Sequence, residues 1–136
     1  MIKLPLLLLT LLLIPSLPCS AEDAPLKKEM ESLDTVWKQI RREKDPAKGA
    51  ELARTAQKHL TTALDQTPAI LSKIPAGPQR EAAAQKYRKL INDSLQLMRQ
   101  IEEAYKANDL AQVSKLRESM LKIKEQGHNE FTEEDE

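Results

Sequence analysis

Apolar positions along this chain recur at helical spacings of three and four, interrupted by clusters of proline, asparagine and aspartate. Leu26, Met30, Leu33, Trp37 and Ile40 form a coiled-coil-like seam along a first helix, with Glu22-Asp23 offering an acidic cap and Pro25 sitting in the first turn. Asp45-Pro46 reads as an N-cap followed by proline at the first helical position. Ala53, Ala56, Leu60, Ala63 and Leu64 then give a second helix a mostly small-residue face, suited to close packing. Pro78 suits the start of a third helix, where Tyr87, Ile91, Ser94, Met98, Ile101 and Tyr105 keep the alternation for about five turns. Asn108-Asp109 punctuates the chain once more and caps a fourth helix with apolar positions Leu110, Val113, Leu116, Met120 and Ile123.

The one long connection, residues 67–78, contains Pro68, Pro75 and Pro78, which remove backbone donors and restrict the residues before them, so no regular helix is expected there. No period-two alternation and no hairpin signal argues for strands. The pattern predicts an all-α fold, an antiparallel up-down-up-down four-helix bundle with neighbours offset by about 20°.

Residues 1–21 stand apart. Lys3, the apolar run from Leu4 to Ile14 and the small residues Cys19-Ser20-Ala21 predict a cleaved export signal, a chain beginning at Glu22 and a periplasmic location. The run is shorter than the about 20 apolar residues a membrane span takes, and prolines interrupt it, so no membrane insertion is expected. A lipid-modified Cys19 is the competing reading, and Ser16-Leu17-Pro18 before it argues against that. Residues 22–136 are enough for one domain, expected to be a monomer, with a frayed acidic tail from about residue 132. With 21 Lys and Arg against 21 Asp and Glu, the chain has no electrostatic case for nucleic acid or anionic lipid. Cys19 is the only cysteine and leaves with the signal, so neither a disulfide, a thiolate metal site nor a covalent haem anchor remains.

Met30 lies roughly 10 Å into the first helix and His128 close to the end of the fourth, which an antiparallel bundle brings to the same end. A thioether and an imidazole facing each other across an apolar slot would suit a haem iron. Taken singly, both have plainer explanations, since a methionine on such a seam is ordinarily core filler and a late-helix histidine ordinarily offsets the helix dipole. His59, about two turns from the end of the second helix, is the rival ligand. Trp37, Met98 and Met120 read as core. Phosphate loops, nucleophile elbows and zinc or di-iron motifs are absent from the sequence.

The segment Leu26-Lys27-Lys28-Glu29-Met30-Glu31-Ser32-Leu33 and the late Gly127-His128-Asn129-Glu130-Phe131, with helix order, loop placement and export signal, resemble the cytochrome b562 family over nearly all of residues 22–131. The resemblance implies one non-covalent b-type haem per chain at one end of the bundle, with Met30 and His128 as axial ligands of its iron. It implies a single-electron carrier rather than an enzyme, working with redox partner proteins that the sequence does not name. Leu26, Leu33, Tyr87, Ile91, Leu121 and the Pro68 to Leu71 segment are then the expected haem walls, and Lys27 or Lys124 the expected partners of the propionates. Two departures stand out. Gly127 either ends the fourth helix as a C′ residue or lies within it, and Ile91 stands where the family carries a second aromatic ring beside that at Tyr87. The alternative is a haem-free periplasmic interaction or adaptor bundle, in which Met30 is packing and His128 is surface.

Cleavage after Ala21 is expected, and the intact mass of the exported protein checks it: the chain should begin at Glu22. A mass retaining Cys19 with acyl chains would mean a lipoprotein.

Overall fold

A computed structural model describes residues 24–132; the expected signal, residues 1–21, the expected cap Glu22-Asp23 and the acidic residues 133–136 lie outside the described residues. Four α-helices run as α1 Ala24–Ile40, α2 Pro46–Leu64, α3 Pro78–Lys106 and α4 Leu110–Phe131, and a 3-10 turn, Ala69–Lys73, sits in the α2–α3 connection. No strand occurs among the described residues, and no described helix is long and apolar enough to cross a membrane. The fold is the all-α four-helix bundle that the hydrophobic pattern calls for. Consecutive helices pack on one another, α1 on α2, α2 on α3 and α3 on α4.

Local chemistry sets the helix ends. Asp45 is the N-cap of α2, its Oδ1 accepting from the Lys48 N–H at 3.0 Å, and Pro46 follows where a backbone donor is not needed. Asp109 repeats the arrangement at α4, accepting from the Gln112 N–H at 3.0 Å. Between α3 and α4, Asn108 takes the left-handed conformation at φ 53°. This lets the Asn108 N–H reach the Tyr105 carbonyl at 2.9 Å and the Asp109 N–H reach that of Ala104 at 2.9 Å, a Schellman termination that turns the chain within the three residues between the helices.

The core follows the seam positions. Ile40, Leu60, Met98, Ile101, Tyr105 and Val113 are the large side chains fully withdrawn from water. The small face of α2 extends one turn earlier than expected, through Gly49 and Ala50. Tyr105 lies against Gly49 so closely that a methyl group there would overlap its ring. The Tyr105 hydroxyl donates towards the carbonyls of Ile40 (3.1 Å) and Glu43 (3.0 Å). Arg117 of α4 donates in turn to that hydroxyl and to the Glu43 carbonyl (2.9 Å). One phenol thereby ties α3 to the end of α1 and to α4. One turn before Tyr105 on α3, the buried Glu102 accepts from Gln57 Nε2 at 2.8 Å and pairs with Lys106 at 3.1 Å. Burial alone would raise its pKa, but the bonds from Gln57 and Lys106 outweigh that and hold it below the usual value.

One expectation for α4 needs correcting, and one alternative left open is decided. Leu110, expected on the apolar stripe, is 41% exposed: it is the first residue of α4, and burial along this helix begins at Val113. Gly127 does not end the helix: α4 continues through it to Phe131, and Thr132 is the C-cap.

Gly49→Ala is expected to destabilise the fold by about 1–3 kcal/mol, the usual cost of overpacking a tight core. Urea unfolding checks this. An unchanged midpoint would mean that the Tyr105 ring moves aside without cost.

Candidate functional site

The seam between α1 and α4 differs from the other three. Direct contact across it is sparse, and a cavity of about 730 Å³ runs along it, within the range of about 300–1,000 Å³ that ligand pockets occupy. Leu26, Met30, Leu33 and Trp37 line it from α1, and their spacing puts all four on one helical face. Met120, Ile123, Lys124, Gly127, His128 and Phe131 line it from α4, while Tyr87, Leu90, Ile91, Ser94 and Met98 of α3 form the floor. Leu60 of α2 and the buried Pro68 complete it. From Leu26 to Lys38 the cavity follows α1 for about 18 Å.

Met30 and His128 therefore border the same space from facing helices. Met30 is half-buried, whereas His128 stands exposed at the rim, its Nδ1 3.2 Å from Thr132 Oγ1. Because α4 runs on through Gly127, His128 and Phe131 are one turn apart on one face. The Phe131 ring meets that of Tyr87 edge-on, with centroids 5.5 Å apart and planes at 73°. Tyr87 is held from the other side, its hydroxyl donating to the Ala63 carbonyl at 2.7 Å. Burial pushes its pKa up to about 12, so it is a neutral wall at ordinary pH.

Of the expected walls, Leu26, Leu33, Tyr87, Ile91 and Pro68 border the cavity and Leu121 does not. Leu121 is 40% exposed: it lies about 100° round the helix from Met120, whose side chain takes the inward position. Leu71 is buried but does not reach the cavity. His59 does not border it either; its Nδ1 lies 2.7 Å from Glu29 Oε2, tying α2 to α1. Trp37, Met98 and Met120 belong to the core, as expected, and also close the inner end of the cavity.

The charged rim has a partner across the seam. Lys27 borders the cavity, and Lys124 does so while donating to Asp34 of α1, which also pairs with Lys38 at 2.7 Å. The Lys124 and Lys38 ammonium groups hold the Asp34 carboxyl below its ordinary pKa. Beside the rim, Lys86 of α3 pairs with Glu130 of α4 at 2.9 Å. Sequence reasoning missed Phe131, Leu90, Ser94, Ile123 as a wall, and Asp34. Phe131 had a signal, its three-residue spacing from His128, which counts only once α4 continues past Gly127.

A family model described as Cytochrome b562 matches residues 25–132, nearly the whole of the described bundle. No curated protein and no solved structure matches the chain.

Asp34 sets a pH dependence. A carboxyl lowered in the folded state contributes stability that is present above its ordinary value of 3.8 and lost as pH falls through the lower folded value. Partly exposed pairs are worth about 0–1 kcal/mol, so the effect is small. Urea unfolding of the wild type and Asp34→Asn should differ at neutral pH and converge in acid below 3.8. A difference that persists unchanged into strong acid would contradict the ion-pair account.

Proposed function

The chain belongs to the cytochrome b562 family, and on that premise we propose that it is an exported single-electron carrier in which Met30 and His128 hold the iron of one non-covalent b-type haem. The family is one of b-type haem cytochromes, electron carriers rather than enzymes. The observation that carries the ligand assignment is the shared cavity: a thioether from α1 and an imidazole from α4 border one largely apolar space. The donor set fits haem, whose iron takes methionine and histidine as an axial pair. Residues 1–21 support export, through the positive start, apolar run and small-residue cleavage site.

When bound, the haem supplies the ferric/ferrous couple. The chain's own residues set its surroundings. Leu26, Leu33, Ile91 and Phe131 line the cavity and would exclude water from a bound haem, and Tyr87, its proton committed to Ala63, would add bulk without charge. Met30 brings a soft sulfur that favours the ferrous state, and His128 the stronger nitrogen donor. Lys27 and Lys124 are the cations at the rim for the propionates. Were Met30 and His128 both to bind the iron, no open position would be left for oxygen or substrate, which would favour electron transfer over catalysis. His59, engaged with Glu29, is not a ligand on this reading.

Haemin added to the haem-free protein is expected to give a sharp Soret band and a low-spin spectrum. Met30→His should lower the midpoint potential by on the order of 100 mV, more than tenfold in the one-electron equilibrium, and His128→Ala should lose tight binding or leave the iron five-coordinate. A protein that gives no Soret band on titration would overturn the cytochrome reading. Identical potentials and spectra for wild type and Met30→His would return Met30 to the core.

A further inference from the structure

His128 stands in the last turn of α4, where helices fray, and its ring is exposed. A ligand in that position needs something to hold it. Thr132, four residues on, meets it twice. Its backbone N–H donates to the His128 carbonyl at 3.1 Å, closing the final turn, and its Oγ1 lies 3.2 Å from His128 Nδ1. No other hydrogen bond to the ring is made among the described residues. Thr132 does not border the cavity, so whatever it does there passes through His128.

A neutral imidazole carries one N–H and one lone pair. If the Thr132 hydroxyl donates to Nδ1, the ring proton sits on Nε2 and that nitrogen cannot bind a metal. If Nδ1–H donates to Thr132 Oγ1, the Nε2 lone pair is free. Binding iron through Nε2 therefore selects the second arrangement. On the ligand assignment above, on which this inference rests, we propose that Thr132 is the positioning residue of the axial histidine. Its hydroxyl accepts from Nδ1–H, fixes the tautomer and the ring's orientation, and raises the basicity of Nε2, as partners behind metal-bound imidazoles do. The stronger donor favours ferric iron, so Thr132 lowers the potential that Met30 raises.

The test compares the full chain as wild type, Thr132→Val, Thr132→Ser and His128→Ala, titrated with haemin. Valine keeps the shape of threonine without the hydroxyl, and serine keeps the hydroxyl. Thr132→Val should raise the midpoint potential by about threefold in the ferric/ferrous equilibrium, about 30 mV at 59 mV per tenfold, while Thr132→Ser stays with the wild type. In the haem-free protein the imidazole nitrogen chemical shifts of His128 should move in Thr132→Val and not in Thr132→Ser. A wild-type potential in Thr132→Val, or equal shifts in both threonine variants, overturns the role of the hydroxyl while the ligand assignment stands. A wild-type low-spin spectrum in His128→Ala overturns the ligand assignment itself.

Discussion

The small face of α2 governs the shape of this bundle. Gly49, Ala50, Ala53, Ala56 and Ala63 let the neighbouring helices approach closely, and larger side chains from α1 and α3 fill what remains. Over Gly49 that filling is complete, since Tyr105 occupies the space a side chain would take and reaches the carbonyl of Ile40 at the end of α1. Arg117 extends the same knot to α4. At the other end the equivalent seam has no such knot. Among the described residues the ion pair that crosses it is Asp34–Lys124, above a floor of α3 side chains, so α1 and α4 stand apart and the cavity lies between them.

The cavity's chemistry is a consequence of which residues face that seam. Its walls are mostly aliphatic or aromatic, its buried phenol stays neutral, and its charges are confined to the rim. An environment of that kind disfavours net charge at its centre. For the proposed haem it acts in the same direction as a thioether ligand, towards the ferrous state, with the Thr132–His128 contact acting against both. On that proposal the chain would have three separable influences on one couple: the identity of the sulfur donor, the dryness of the walls and the basicity of the imidazole.

Most of the fold was legible because its signals are local. Asp45-Pro46 and Asn108-Asp109 mark helix boundaries through bonds made within three or four residues, and the seam from Leu26 to Ile40 needs only the helical repeat. The site was half legible for the same reason. Leu26, Met30, Leu33 and Trp37 share a stripe that periodicity reveals, but the edges of a stripe depend on which neighbour is packed where. Leu121 and Leu110 fell on the wrong side of such an edge. Gly127 hid Phe131 by leaving the course of α4 open. Contacts between distant segments carry no sequence signal at all, and the His59–Glu29 and Lys124–Asp34 pairs, separated by 30 and 90 residues, are of that kind.

The most direct test of the central claim, one iron held between the α1 sulfur and the α4 imidazole, is X-ray absorption at the iron edge of the haem-loaded protein. The account expects one sulfur in the first coordination shell of the wild type, lost in Met30→Ala while nitrogen coordination by His128 remains. An iron with nitrogen neighbours alone in the wild type would contradict it.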